Sequence, residues 1–342
     1  MTNIARTLRL NEILSNKKFL IILGFVISII GIIVAVTDPV RFQILITSVS
    51  EGSFYALAAL GIGLLFGVLR LINFAYGDWV MLAGYALILP STAVTSTLII
   101  GSFHPVLIVL IIIGFTVLLS VISEGTVFRP MRNTPPAIMM IASFALGYVL
   151  QNLTIMVYGG RPKSAGIFEE LTEQVVLADG VSVPLLKIIT IGVTAVLLLL
   201  LVLFLHRTKI GIQMRAAAED FRMARMLGVR ANFVIAMAFV ISGFLASFVS
   251  LMYVTQIGIL TFRMGTPIIV FAFIATVIGG MGSLVGSVVG GMVVGVSSVV
   301  LKNILPGEIR GFSDAFVFGL VIVILLARPQ GLVPAKSARE RV

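Results

Sequence analysis

Apolar runs, most of them near twenty residues long, follow one another along this chain with only short polar connections between them, and that succession constrains the fold more than any other feature. A bilayer's hydrocarbon core is about 30 Å thick and takes roughly 20 apolar residues of helix to cross. Such runs occupy residues 19–36, 44–69, 74–89, 106–122, 137–157, 185–205 and 233–254, followed by 266–278, 283–301 and 312–327. Of the 342 residues, 59% are hydrophobic and 11% charged, whereas soluble domains carry about 25% charged residues. No water-soluble core could bury that excess. The sequence therefore predicts an all-α integral membrane protein, a polytopic bundle of about 8–10 transmembrane helices. Residues 266–278 and 312–327 are short for a crossing and are expected to be tilted, broken or re-entrant. Residues 19–36 follow Arg6, Arg9, Lys17 and Lys18. They run longer than the roughly 7–15 residues of a signal-peptide core and lack an A-x-A site, so they read as a retained span.

The polar remainder is too small for a second domain, since independent domains need roughly 50–250 residues. Its two longest stretches are 158–184 and 206–230. No G-x-x-x-x-G-K-[ST] phosphate loop occurs, so energy from a nucleotide would have to come from a partner. There is no cysteine, and the two histidines, His104 and His206, lie far apart, so no metal or cofactor site is expected in this chain. A net charge of +10 could suggest nucleic acid, but the basic residues border apolar runs and read as topology signals. With ten crossings, Arg41, Arg161, Lys163, Lys187, Arg263, Lys302 and Arg310 fall on one side and all other Lys and Arg residues on the side of both termini. The positive-inside rule makes that majority side cytoplasmic.

The expected cytoplasmic parts are thus residues 1–18, the loop 206–230 and the tail 328–342, with 158–184 as the long periplasmic loop. That outer loop carries Glu169, Glu170, Glu173 and Asp179 and is long enough to present a docking surface. In the inner loop Met214, Ala217, Ala218, Phe221, Ala224, Leu227 and Gly228 recur at helical spacing, with Arg215, Glu219 and Arg222 opposite; this predicts one short amphipathic helix. Its alanines bury too little apolar area to anchor it on lipid. A small-residue face suits a groove on a protein instead.

Glycines at 282, 286 and 290, and the row Ser287, Gly291, Gly295, form two ridges that let helix backbones approach closely. Gly279-Gly280 reads as a turn or broken helix, a place where transporters put substrate sites. Polar residues inside the apolar runs supply the other pathway candidates. Glu51 lies seven residues into its run, where a lipid-exposed carboxylate would cost a few kcal/mol, so it must face the protein interior, face water near the interface or be protonated, and the outer half of the pathway is its expected place. Asn73, Tyr76 and Asp78 interrupt the next run, with Asp78 placed either to cap a helix, to pair with Arg70, or to line the pathway. Gln151 and Asn152 suit interhelical hydrogen bonds or the pathway.

Four stretches resemble the permease subunits of branched-chain amino acid ABC importers. They are Tyr55-Ala-Leu-Ala-Ala-Leu-Gly61 leading into Ile72-Asn-Phe-Ala-Tyr-Gly-Asp78; Arg215-Ala-Ala-Ala-Glu-Asp220 with Met226-Leu-Gly-Val229; Val277-Ile-Gly-Gly-Met-Gly-Ser-Leu-Val-Gly286; and Arg328-Pro-Gln-Gly-Leu332. The resemblance implies a passive half of a translocation pathway in a bacterial inner membrane. Its partners would be a second permease subunit, two cytoplasmic ATPases that bind the ATP, and a periplasmic substrate-binding protein. It also implies that Arg215, Ala217, Ala218, Glu219, Asp220, Phe221, Ala224 and Gly228 belong to the segment that couples to an ATPase. The solute would be a branched-chain amino acid or a related small polar molecule. A stand-alone channel or secondary transporter for urea or an amide is the alternative, served by Glu51, Asn73 and Asp78 without an ATPase. An intramembrane enzyme would need a catalytic pair at depth, and the runs contain none.

Overall fold

The structure, a computed structural model, describes residues 39–90, 104–132, 134–178 and 181–333. The expected first span at 19–36, the N-terminal segment 1–18 and Asp179 lie outside these. The chain divides into two compact units, residues 1–47 with 174–183, and residues 48–173 with 184–342. In the first, β2 (Gln174–Ala178) and β3 (Val181–Pro184) form a hairpin, and Gln43 Nε2 donates to the Ser182 carbonyl at 2.6 Å.

Eleven helices follow in chain order among the described residues: α1 Pro39–Leu69, α2 Tyr76–Tyr85, α3 Pro105–Ser123, α4 Pro136–Tyr158, α5 Leu185–Arg207, α6 Lys209–Glu219, α7 Phe221–Met226, α8 Ala231–Ile257, α9 Gly265–Gly279, α10 Leu284–Ile304 and α11 Ser313–Ala327. Seven of them, α1, α3, α4, α5, α8, α10 and α11, are long and apolar enough to cross a membrane. All-helical architecture follows from the solvent, since in hydrocarbon every backbone N–H must find its acceptor within the same segment.

Two apolar helices fall short of a full crossing. The run 74–89 is expected as a full crossing, but its helix is α2, of 10 residues. At 1.5 Å per residue that is about 15 Å, half a bilayer. It breaks after Tyr85 into turns and is buried along nearly its whole length, which is how non-helical backbone survives at depth. The second, α9, has 15 residues, as the short run 266–278 predicts. Their N-terminal ends meet: a Cβ on Gly77 would lie 2.4 Å from the Gly265 carbonyl oxygen, and one on Gly265 2.1 Å from that of Gly77.

The centre of the larger unit is the second half of α1. Ala56 through Leu60 are fully buried, and α8, α9 and α10 pack around them. Ser242 Oγ donates to the Gly61 carbonyl at 3.0 Å and Thr276 Oγ1 to that of Ala59 at 3.3 Å. The two ridges on α10 serve two different neighbours. A Cβ on Gly286 would sit 2.4 Å from the Gly279 oxygen and one on Gly290 1.9 Å from that of Ala275, both on α9. On the other row, Gly291 lies against Ala56 and Gly295 against Gly52, both on α1. Close packing of backbones is what small-residue spacing does in membranes, where lipid offers no hydrophobic drive for association.

At one end, β1 (Lys163–Ser164) pairs antiparallel with β4 (Ile259–Leu260). Ala165 and Ile167 are buried with Met81, Tyr85 and Leu260. Part of the long 158–184 loop therefore covers the chain's own core, leaving Glu170 and Glu173 exposed. The other end is the basic one, carrying Arg70, Arg129, Arg132 and the α6–α7 segment.

Candidate functional site

The polar candidates of the apolar runs come together around the start of α2. After Arg70 the chain turns back, and Asn73 shapes the entry to α2 through an Asx-type bond in which its Oδ1 accepts from the Ala75 N–H at 3.0 Å. Phe74 stacks on Phe144 of α4 with ring centroids 4.1 Å apart, and its N–H donates to Ser143 Oγ at 3.0 Å. Asp78 lies in the first helical turn, where a carboxylate complements the helix dipole. Its partner is not Arg70 but Gln151, whose Nε2 donates to Oδ1 at 2.8 Å.

Space for this carboxylate is made by Gly147, where a Cβ would come 2.2 Å from Asp78 Oδ2. Gly147 and Gln151 are four residues apart on α4 and therefore share a face. Tyr76 is fully buried, its ring lying where a Cβ on Gly61 would need to be, 2.5 Å away. Among the described residues the Tyr76 hydroxyl and Asn73 Nδ2 have no hydrogen-bond partner. The great majority of buried polar groups in proteins are paired, so the two unpaired groups beside a partnered carboxylate set this cluster apart.

Glu51 is apart from that cluster. It is half-buried, and Gln256, in the last turn of α8, donates Nε2 to its Oε1 at 2.9 Å. Asn152 points outward and donates to the Tyr148 carbonyl of its own helix at 2.7 Å. Of the two amides, only Gln151 bridges helices. Gly279 and Gly280 form the turn between α9 and α10, with φ of 109° at Gly280 and 84° at Gly282. The motif Arg328-Pro-Gln-Gly-Leu332 closes that turn: the Leu332 and Val333 N–H groups donate to the Ile278 and Gly279 carbonyls at 2.7 and 2.9 Å. Those are the carbonyls a helix C-terminus leaves without partners.

The 206–230 segment differs from the single helix its spacing predicts. At Asp220 the backbone is extended (φ −144°, ψ 103°), and Asp220 Oδ1 accepts from the Met223 N–H at 3.0 Å. Aspartate competes with the helix for backbone donors and is among the best N-caps, so it ends α6 and begins α7. Part of the small face is also already used. Met214, Ala217 and Ala224 are buried in the chain's own core, Ala218 is half-buried and Glu219 exposed. What projects is Leu227 at the end of that face, 85% exposed, with Met223 and Met226 from outside it. The segment is tied down at both ends. Thr208 Oγ1 accepts from the Gly211 N–H at 3.0 Å, Arg215 Nε donates to the Leu205 carbonyl at 2.9 Å, and Gly228, with φ of 87°, ends α7. Residue periodicity locates the segment but cannot tell which of its faces the chain keeps for itself.

The sequence matches the model of a family described as the branched-chain amino acid transport system permease component over residues 44–326. It is 28% identical over 305 residues to the high-affinity branched-chain amino acid transport system permease protein BraD of Pseudomonas aeruginosa, covering 85% of this chain and 95% of that one. To LivH of Escherichia coli it is 28% identical over 302 residues, covering 85% and 94%. To a probable LivH of Methanocaldococcus jannaschii it is 25% identical over 300 residues, covering 83% and 88%. No solved structure matches the chain significantly. With one model spanning nearly all of its membrane helices, the chain belongs to the branched-chain amino acid transport permease family.

Proposed function

We propose that this chain forms one half of the pathway of an ATP-binding-cassette importer that carries branched-chain amino acids or related small polar solutes across a bacterial inner membrane. In this reading both termini, the 206–230 segment and the tail are cytoplasmic, and 158–184 is periplasmic. A second permease subunit completes the pathway, two cytoplasmic ATPases hydrolyse the ATP, and a periplasmic binding protein delivers the solute. The chain itself hydrolyses nothing and holds no cofactor. Family membership and the names of the relatives support this reading over a stand-alone channel.

The observation that carries the coupling assignment is the build of α6–α7: a rigid base sunk in the core and an exposed apolar tip at Met223, Met226 and Leu227. A helix held at its base transmits a push to the spans it is fixed to, here α5 and α8, and so switches access between the two sides. Asn73, Tyr76, Asp78 and Gln151 form the proposed pathway wall, with Glu51 toward the periplasmic mouth. The test is co-purification of the ATPases with the Leu227→Asp variant. Because the side chain is exposed, the stability read by thermal unfolding should stay within about 0.5 kcal/mol of the parent's, while ATPase association weakens about tenfold or more. Undiminished association and uptake would overturn the assignment.

A further inference from the structure

At the basic end of the larger unit lies a cavity of about 1320 Å³, bounded by the last turn of α1, the α3–α4 connection, the α6–α7 segment and the start of α8. Five arginines line it: Arg70, Arg129, Arg132, Arg225 and Arg230. Arg132 is paired with Glu124, a buried carboxylate in the π-helical turn Glu124–Phe128 that ends α3. Among the described residues the other four have no carboxylate partner, although Glu219 and Asp220 share the lining.

Two further observations point into the same space. Arg70 has φ of 54°, a left-handed conformation that costs a residue with a Cβ roughly 1–2 kcal/mol and that glycine or asparagine adopts more readily. Arg70 thus places a cationic side chain on the cavity lining at a turn position that glycine would fill with less strain. The N-terminus of α8 opens on the cavity at Arg230 and Asn232 with no side chain capping it, which adds partial positive charge from free N–H groups. Cationic groups on a concave, low-dielectric wall focus a field that concentrates anions. One guanidinium fork satisfies one carboxylate, whereas four unpaired guanidiniums match an oxyanion with more oxygens and more charge.

We propose that this arginine-lined vestibule binds a phosphate-bearing anion. The same chemistry is offered by the headgroup of an acidic phospholipid entering from the membrane and by a soluble phosphate entering from the aqueous side. The site stands on the cavity's own geometry and its test needs no ATPase, so its failure and that of the coupling assignment are separable.

The experiment is thermal unfolding of the purified full chain in neutral detergent, titrated in one arm with phosphatidylglycerol against phosphatidylcholine and in the other with pyrophosphate against chloride at equal ionic strength. Binding to the folded state raises the midpoint in a saturable way. A rise with phosphatidylglycerol alone assigns the site to lipid, a rise with pyrophosphate alone to a soluble anion, and either supports the proposal. Arg70→Gly is the informative variant. It relieves the strained turn, so its midpoint without probe should be unchanged or higher, while its affinity for the active probe should fall about tenfold, as loss of one charge-assisted contact implies. Arg225→Gln, on the exposed α7, gives a second readout should Arg70→Gly fold poorly. No saturable rise with either probe, or equal rises in the parent and both variants, would overturn the proposal and leave the arginines to contacts with a protein partner.

Discussion

Tyr76 carries a phenol in full burial whose hydroxyl has no partner among the described residues, and leaving such a group unsatisfied costs about 1–3 kcal/mol. Tyr76→Phe should therefore be neutral or stabilising by about 1 kcal/mol in thermal unfolding, since the ring still fills the space over Gly61. If uptake nevertheless falls, the hydroxyl works in the pathway; if uptake is unchanged, Tyr76 packs and does nothing else. Gly147 makes the opposite case. The methyl of Gly147→Ala would come 2.2 Å from Asp78 Oδ2, displacing a carboxylate held by Gln151, and overpacking of this kind costs about 1–3 kcal/mol. Asp78→Asn keeps an oxygen for the Gln151 amide and removes the charge, so stability held with uptake lost would assign the charge itself a role. These residues differ in how far the sequence reveals them. Asn73, Tyr76, Asp78 and Gln151 stand out as polar letters in apolar text, whereas Gly61 and Gly147 look like any other glycine until the side chains they accommodate are placed.

At the level of elements, the long apolar runs within the described residues translate into helices within about five residues of their expected ends, because hydrophobic length and the need for internal backbone bonding leave no other solution. The failures are informative. Composition alone gives 74–89 a full crossing, but Asn73, Gly77 and the close approach to Gly265 shorten it to α2; burial by neighbours, which no local pattern encodes, permits the break. The amphipathic period at 214–228 is real, yet Asp220 cuts it in two and Met214, Ala217 and Ala224 turn inward while Leu227 stays exposed. Glycine placement tests this picture. Gly290→Val on α10 would drive a Cβ to 1.9 Å from the Ala275 carbonyl and should prise α10 from α9, with loss of folded protein after membrane extraction. Gly319 on α11 has open space around it. Gly319→Ala should hold or raise stability by about 0.5–1 kcal/mol, the helix-propensity gain alone.

For the whole molecule, the distribution of basic residues and the packing together divide the larger unit into two ends. One holds the β1–β4 pair and the exposed Glu170 and Glu173; the other holds the arginine vestibule and the α6–α7 tip. In the proposed topology the second end faces the cytoplasm, as the positive-inside rule expects, because moving cationic loops outward is disfavoured during insertion. The absence of cysteine from the sequence makes the chain its own unreactive background for testing that assignment. Single variants Glu170→Cys and Leu227→Cys both place a thiol at an exposed position, so reactivity reports sidedness and not burial. In intact spheroplasts a membrane-impermeant maleimide should modify Glu170→Cys and spare Leu227→Cys, and permeabilisation should make both reactive. Assembled ATPases should then shield Leu227→Cys again in the complete transporter, while Glu170→Cys stays open. Labelling of Leu227→Cys from outside would invert the topology and remove the physical basis for an ATPase contact at α7. Labelling of both from the same side would mean that the ends paired here by packing do not lie across the membrane from each other.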